Sequence, residues 1–157
     1  MFQSILVPID GSQHAKTALS VACRLLSQPQ GTLWLVHVPE PLVYETTLVW
    51  DIGPVTLETS QEEWERIGQR VLARAAETAR AEGVSRIETD IVQGEPTRAI
   101  LGEARRRGAE AIVMGSRGLS DLSGIVVGSV SHKVAHTADC AVITVRSAHA
   151  EADRDQD

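Results

Sequence analysis

Short apolar runs at 3–9, 32–38, 85–93, 110–114 and 140–145 alternate with longer segments of helical periodicity. No other feature of the chain restricts its fold as much. Between the first two runs, Ala15, Ala18, Leu19, Ala22, Cys23 and Leu26 recur at helical spacing. Trp64, Ile67, Val71, Leu72, Ala75 and Ala79 do the same before the third run, and Ile100, Leu101 and Ala104 before the fourth. A short helix over about 129–137 precedes the fifth. The order β-α-β-α-β-α-β-α-β predicts an α/β fold with a mostly parallel sheet and helices on both faces. Right-handed crossovers leave few ways to connect it. Ligands of such sheets bind beyond the carboxyl ends of the strands, where the strand order reverses. The ends that matter here are Asp10, after the first run, and Gly115, after the fourth.

Turn chemistry sets the boundaries. Asp10-Gly11-Ser12 reads as a turn with Ser12 as helix N-cap, and Pro8 fits only near the carboxyl end of its strand. Pro29-Gln30-Gly31 breaks the first helix, and Pro39 and Pro41 stop the second strand. Residues 39–58 have no period and read as a long loop, a type usually functional or mobile. Ser60-Gln61-Glu62-Glu63 has the form of a capping box. Gly94-Glu95-Pro96-Thr97 opens a helix that Gly108 ends. The third run alternates Ile87, Thr89 and Ile91 with Glu88 and Asp90, which predicts an edge strand. The 157 residues fit one domain over 1–146, and the acidic segment 147–157 is expected to be a disordered tail.

Composition removes several function classes. The net charge of −6 argues against nucleic acid as a partner. Aromatics are only 3% of the chain, so the core must be aliphatic. Of the 15 Lys and Arg residues only Lys16 and Lys133 are lysines, and no G-x-x-x-x-G-K-[ST] is present, which excludes a P-loop. No run approaches a membrane span and no basic-then-apolar leader opens the chain, so a cytoplasmic protein without membrane insertion is expected. Cys23 and Cys140 are expected to be free, buried thiols.

The fourth run leads into Gly115-Ser116-Arg117-Gly118, and Gly128-Ser129-Val130-Ser131 then opens a helix. This pattern makes an anion site. Glycines let backbone approach a ligand, and the free N–H groups of a helix start face negative charge. With so little lysine, backbone amides, the Ser129 and Ser131 hydroxyls, Arg117 and a divalent cation would balance a phosphate. The plainer reading is that the glycines only shape a turn and Ser129 only caps a helix.

Gly115, Gly118 and Gly128-Ser129 at this spacing, with Ile5-Leu-Val-Pro-Ile-Asp10-Gly-Ser12 and His37-Val38, resemble the ATP-binding branch of the universal stress protein family over about 1–146. The resemblance implies a Rossmann-like, adenine nucleotide alpha hydrolase-like sheet of order 3-2-1-4-5. It implies adenine near Pro8, Asp10 and Val38, ribose and phosphates along Met114, Gly115, Ser116, Arg117 and Gly118, and terminal phosphates at Gly128, Ser129, Val130 and Ser131. It also implies ATP or ADP, or AMP, with Mg or Mn at the phosphates near Ser129, and a homodimer through 140–145. The expected function is a nucleotide-binding, stress-response regulator whose state partners read, with the apolar loop 119–127 as lid or partner surface. A weak ATPase or autophosphorylating enzyme is one alternative, a dimeric scaffold without nucleotide another.

Other constellations are weaker. His132 and His136 are four apart without a third ligand, and His132 is a candidate phosphate contact. Asp10, Ser12 and His14 lack a nucleophile elbow. Arg105-Arg106-Arg107 reads as a solvated helix end favoured by the dipole. Trp34, Trp50 and Trp64 read as core or loop anchors.

Overall fold

The computed structural model describes residues 1–39, 61–116 and 129–147. In chain order they form β1 (Ser4–Pro8), α1 (Gln13–Leu25), β2 (Thr32–His37), α2 (Gln61–Ala81), β3 (Arg86–Ile91), α3 (Pro96–Arg107), β4 (Ala111–Gly115), α4 (Ser129–Thr137) and β5 (Ala141–Val145). The sheet order is β3-β2-β1-β4-β5, with every pair parallel. The chain steps one way from β1 to β3 and the other way from β4 to β5. Right-handed crossovers therefore send α1 and α2 to one face and α3 and α4 to the other. The switch point lies between β1 and β4, as the sequence predicts.

Because neighbouring residues of a strand face opposite sides, a strand covered on both sides must be apolar throughout. Ile5, Val7 and Ile9 enter one core with Ala18, Leu19 and Ala22 of α1 and Val71, Leu72 and Ala75 of α2. Leu6 enters the other with Ile112, Ile100, Leu101, Ala104 and Val134. The strands are a little shorter than the apolar runs, and Ile9, just past β1, still donates its N–H to the Val36 carbonyl at 2.8 Å. β3 and β5 are the edges.

The predicted punctuation is present. The Ser12 hydroxyl accepts from the Ala15 N–H at 3.1 Å and caps α1. The Glu95 carboxylate accepts from the Thr97 and Arg98 N–H groups, both at 3.0 Å, and these bonds hold its pKa below the usual carboxylate range. Gly108 ends α3 in the left-handed region at φ 62°, where a side chain would be strained. Ser60 and Trp50 lie outside the described residues.

Three expectations change. Arg106 and Arg107 are not simply solvated. Both bind the buried Glu103 carboxylate, both reach Asp90 at 3.3 Å, and the Arg107 guanidinium lies 4.5 Å from the centroid of the Trp34 ring. Arg105, paired with Asp139 at 2.8 Å, and Arg106 are both exposed, and only Arg107 is partly buried. Cys23 is free and buried, whereas Cys140 is free but only partly buried, because it leads into an edge strand. Ser147, which the sequence places in the tail, is buried, and its N–H donates to His14 Nδ1 at 3.1 Å.

Candidate functional site

The carboxyl ends of β1, β2 and β4 carry the predicted residues. Pro8 closes β1 opposite Val36. Asp10 follows in a tight turn. Its Oδ1 accepts from the Ser12 N–H at 2.9 Å, and Gly11 takes φ 83° to let the chain turn into α1. With Asp10 bound to the Ser12 amide and the Ser12 hydroxyl capping the helix, these two side chains are engaged in local turn and cap bonds. Val38 follows β2, partly buried against the α3/α4 core.

His37 ties these ends together. The ring is 1% exposed, and Nδ1 lies 2.7 Å from the Ile9 carbonyl. A carbonyl only accepts, so Nδ1 carries the proton. Burial pushes the His37 pKa below its usual value, opposed by the Ile9 bond and the Asp10 charge. The sequence shows His37 as a motif member; its role as a clasp needs the fold. Across the ring, a Cβ at Gly68 of α2 would stand 2.7 Å from His37 Cδ2.

Met114 is buried at the end of β4, and Gly115 and Ser116 follow. A Cβ at Gly115 would sit 2.6 Å from His14 Cβ and 2.9 Å from the His14 carbonyl carbon. The glycine therefore lets the first turn of α1 lie directly on β4. This is a packing reason, where the sequence suggests close approach to a ligand. On the other side, the Ser131 hydroxyl donates to the Ser116 carbonyl at 2.9 Å, which fixes the first turn of α4. Ser116 also donates its N–H to the Val145 carbonyl at 2.8 Å. The end of β4 is thus held between the N-termini of two helices.

Neither α1 nor α4 has an acidic residue in its first turn. In contrast, α2 carries Glu62 and Glu63 there, and Glu95 caps α3. The positive end of α4 is therefore left for something else to balance, whereas α1 has the Asp10 carboxylate on the amide of its cap residue. The Ser116 hydroxyl, in a residue 3% exposed, has no hydrogen-bond partner among the described residues. A buried hydroxyl left so costs roughly 1–3 kcal/mol, so this is a place to expect a ligand or water. Ser129 is exposed, Val130 partly buried and Ser131 buried. Arg117, Gly118, Gly128 and the 119–127 loop lie outside the described residues.

The profile of the universal stress protein family matches residues 1–146. The chain belongs to that family. Universal stress protein YxiE of Bacillus subtilis is 38% identical over 149 residues, covering 93% of this chain and all of YxiE. Among solved structures, the universal stress protein of Archaeoglobus fulgidus in complex with dAMP has a TM-score of 0.66 at 24% identity, covering 91% of this chain and 97% of that one. A universal stress protein in complex with cAMP has a TM-score of 0.65 at 24% identity, covering 92% and 97%. These likenesses establish the fold and the strand order.

His132 and His136 are exposed, with ring centroids 4.4 Å apart. Among the described residues no group of three or more His, Cys, Asp or Glu could hold a metal, and no helix is long and apolar enough to cross a membrane.

Proposed function

We propose that the protein binds an adenine nucleotide, ATP or ADP, over the carboxyl ends of β1, β2 and β4. The observation that carries this is the end of β4: two helix N-termini without acidic first turns flank the buried Ser116 hydroxyl, which has no partner among the described residues. That arrangement suits an anion with further acceptor oxygens. The complexes of fold neighbours with dAMP and cAMP support an adenine nucleotide in particular.

In this reading the adenine lies near Pro8, Asp10 and Val38. Ribose and phosphates run along Met114, Gly115, Ser116, Arg117 and Gly118 to Gly128, Ser129, Val130 and Ser131. Asp10, in the turn after β1, stands at the ribose or adenine end of this path. With no carboxylate cage among the described residues, a Mg or Mn ion would be held by the phosphates, water and the Ser129 hydroxyl. The protein acts as a regulator, a homodimer through β5, whose nucleotide state partners read in the cytoplasm. It holds the nucleotide more than it consumes it.

Two measurements test this. Mass spectrometry of protein denatured after purification should release ATP, ADP or AMP. Calorimetric titration of the nucleotide-free protein should saturate at one nucleotide per chain, more weakly for Ser116→Ala. No released nucleotide together with no heat on adding Mg-ATP would sink the reading. Light scattering should give a dimer that Thr144→Pro, in β5, converts to monomer; a wild-type monomer would remove the dimer from the account.

A further inference from the structure

β3 presents an edge that the nucleotide site does not use. The Val92 N–H donates to the His37 carbonyl at 2.9 Å, and His37 is opposite Ile91 in the parallel register. In a parallel ladder that phase turns the backbone groups of Glu88, Asp90 and Val92 towards β2. The N–H and C=O groups of Ile87, Thr89 and Ile91 then point away from the sheet. Such a row is a template for one more strand.

The edge is shaped for an occupant. Between it and α2 runs an open groove of about 660 Å³ whose lining includes Leu72, Ala73 and Ala76 from α2 and Thr89 and Ile91 from β3. An added strand would therefore find backbone partners along one side and an apolar strip along the other.

Charge selects among occupants. The lining carboxylates are Glu65, Glu77 and Asp90, against one cation, Arg80. Asp90 is already engaged by Arg106 and Arg107. Glu65 and Glu77 are exposed and make no ion pair among the described residues. Twelve helical residues separate them by about 18 Å. An extended segment rises ~3.3 Å per residue, so basic residues at i and i+4 start about 13 Å apart, and their long side chains span the rest. The residue at i+2 would sit over Ala73, the exposed apolar residue of the lining, beside the nearly covered Leu72 and Ala76. The chain's own C-terminal segment, with Glu151, Asp153, Asp155 and Asp157 against Arg154, carries the wrong charge.

We propose that the β3 edge and the α2 groove dock an extended, cationic segment of a partner protein by strand addition, with basic residues at i and i+4 and an apolar residue at i+2. The backbone supplies affinity, and Glu65 and Glu77 supply selectivity.

The test is fluorescence anisotropy of the full chain with a labelled peptide, Thr-Lys-Thr-Val-Thr-Lys-Thr, and its counterpart with Glu for both Lys. The Lys peptide should bind about tenfold tighter than the Glu peptide, by the charge of two exposed pairs. Thr89→Pro removes an outward N–H and leaves the β2 ladder whole, so it should abolish binding without lowering the melting temperature greatly. Should that variant fail to fold, Glu65→Lys with Glu77→Lys decides the matter: it should invert the preference between the peptides. Hydrogen exchange at Ile87, Thr89 and Ile91 should slow when the Lys peptide binds. Four results would overturn the proposal: no binding of the Lys peptide at millimolar protein, equal binding of both peptides, affinity unchanged by Thr89→Pro, or an edge occupied by a second copy of the chain, seen as a concentration-dependent dimer lost in Thr89→Pro.

Discussion

Alanine at position 115 should destabilise the fold, while the same substitution at position 102 should stabilise it. The Cβ added to Gly115 meets His14 Cβ at 2.6 Å, the His14 carbonyl carbon at 2.9 Å and the Ala15 nitrogen at 3.1 Å. Two of these are backbone atoms in the first turn of α1, so no side chain can swing aside. Relief requires α1 to lift from β4, and overpacking of this kind costs about 1–3 kcal/mol. For a chain of this size that lowers the melting temperature by roughly 3–10 °C. Lifting α1 also moves the Ser12 cap and the Asp10 turn, so nucleotide affinity should fall. Gly102 lies on the exposed side of α3, and nothing is within 4 Å of its added Cβ. There alanine should gain about 0.5–1 kcal/mol by restricting the unfolded chain and favouring helix. Paired urea denaturations of Gly115→Ala and Gly102→Ala measure the contrast. If Gly115→Ala is as stable as the wild type, α1 does not rest on β4 as described, and the reasoning about this end of the sheet fails.

Three further outcomes follow from named contacts. His37 is buried with its pKa lowered, so the unfolded chain takes up a proton that the folded chain refuses. Its contribution is complete above about pH 6.5 and is lost as pH falls towards the folded pKa, at up to about 1.4 kcal/mol per pH unit; His37→Gln should flatten that slope in denaturation curves below about pH 6.5, and an unchanged slope would contradict it. Arg107→Ala loses the Trp34 ring and a Glu103 partner and should cost about 1–2 kcal/mol with a shift in tryptophan emission, whereas Arg105→Ala, at an exposed pair, should stay within ~0.5 kcal/mol. Burial drives the Cys23 thiol up to about 12, so a disulfide reagent at pH 8 (roughly the ordinary thiol range) should label the half-exposed Cys140 first and reach Cys23 only on unfolding; equal rates in the folded protein would refute the placement of Cys23.

The layers of the fold were legible because their cause is local. A strand covered on both faces must be apolar at every position, so LVPI and AIVM announce themselves, and RIETDI announces an edge by alternating. Gly108 was readable as a helix end because a left-handed residue is almost always glycine. Contacts between distant segments left no such mark. Helical spacing from Glu103 can tell Arg107 from Arg105, but the Trp34 ring over which Arg107 lies belongs to β2, far away in the chain. His37 reads as a member of a motif, but its clasp on Ile9 exists only because β1 and β2 are paired. Gly115 was read as a ligand approach, yet the atom that forbids its side chain belongs to His14. For the site, the sequence offers candidate positions and an anion-binding pattern. The buried Ser116 hydroxyl, without a partner among the described residues, and the helix starts on either side of it are visible only once α1 and α4 are set against β4.

The central claim is a location, so the most direct test is a residue-resolved one. In a titration of the 15N-labelled chain with Mg-ATP, followed by amide chemical shifts, the largest changes should fall on Asp10, Val38, Gly115, Ser116 and Ser129 to Ser131. The opposite end of the sheet, at Thr32, Arg86 and Ala141, should stay still. Changes centred on that opposite end, or no changes at all with millimolar nucleotide, would contradict the account.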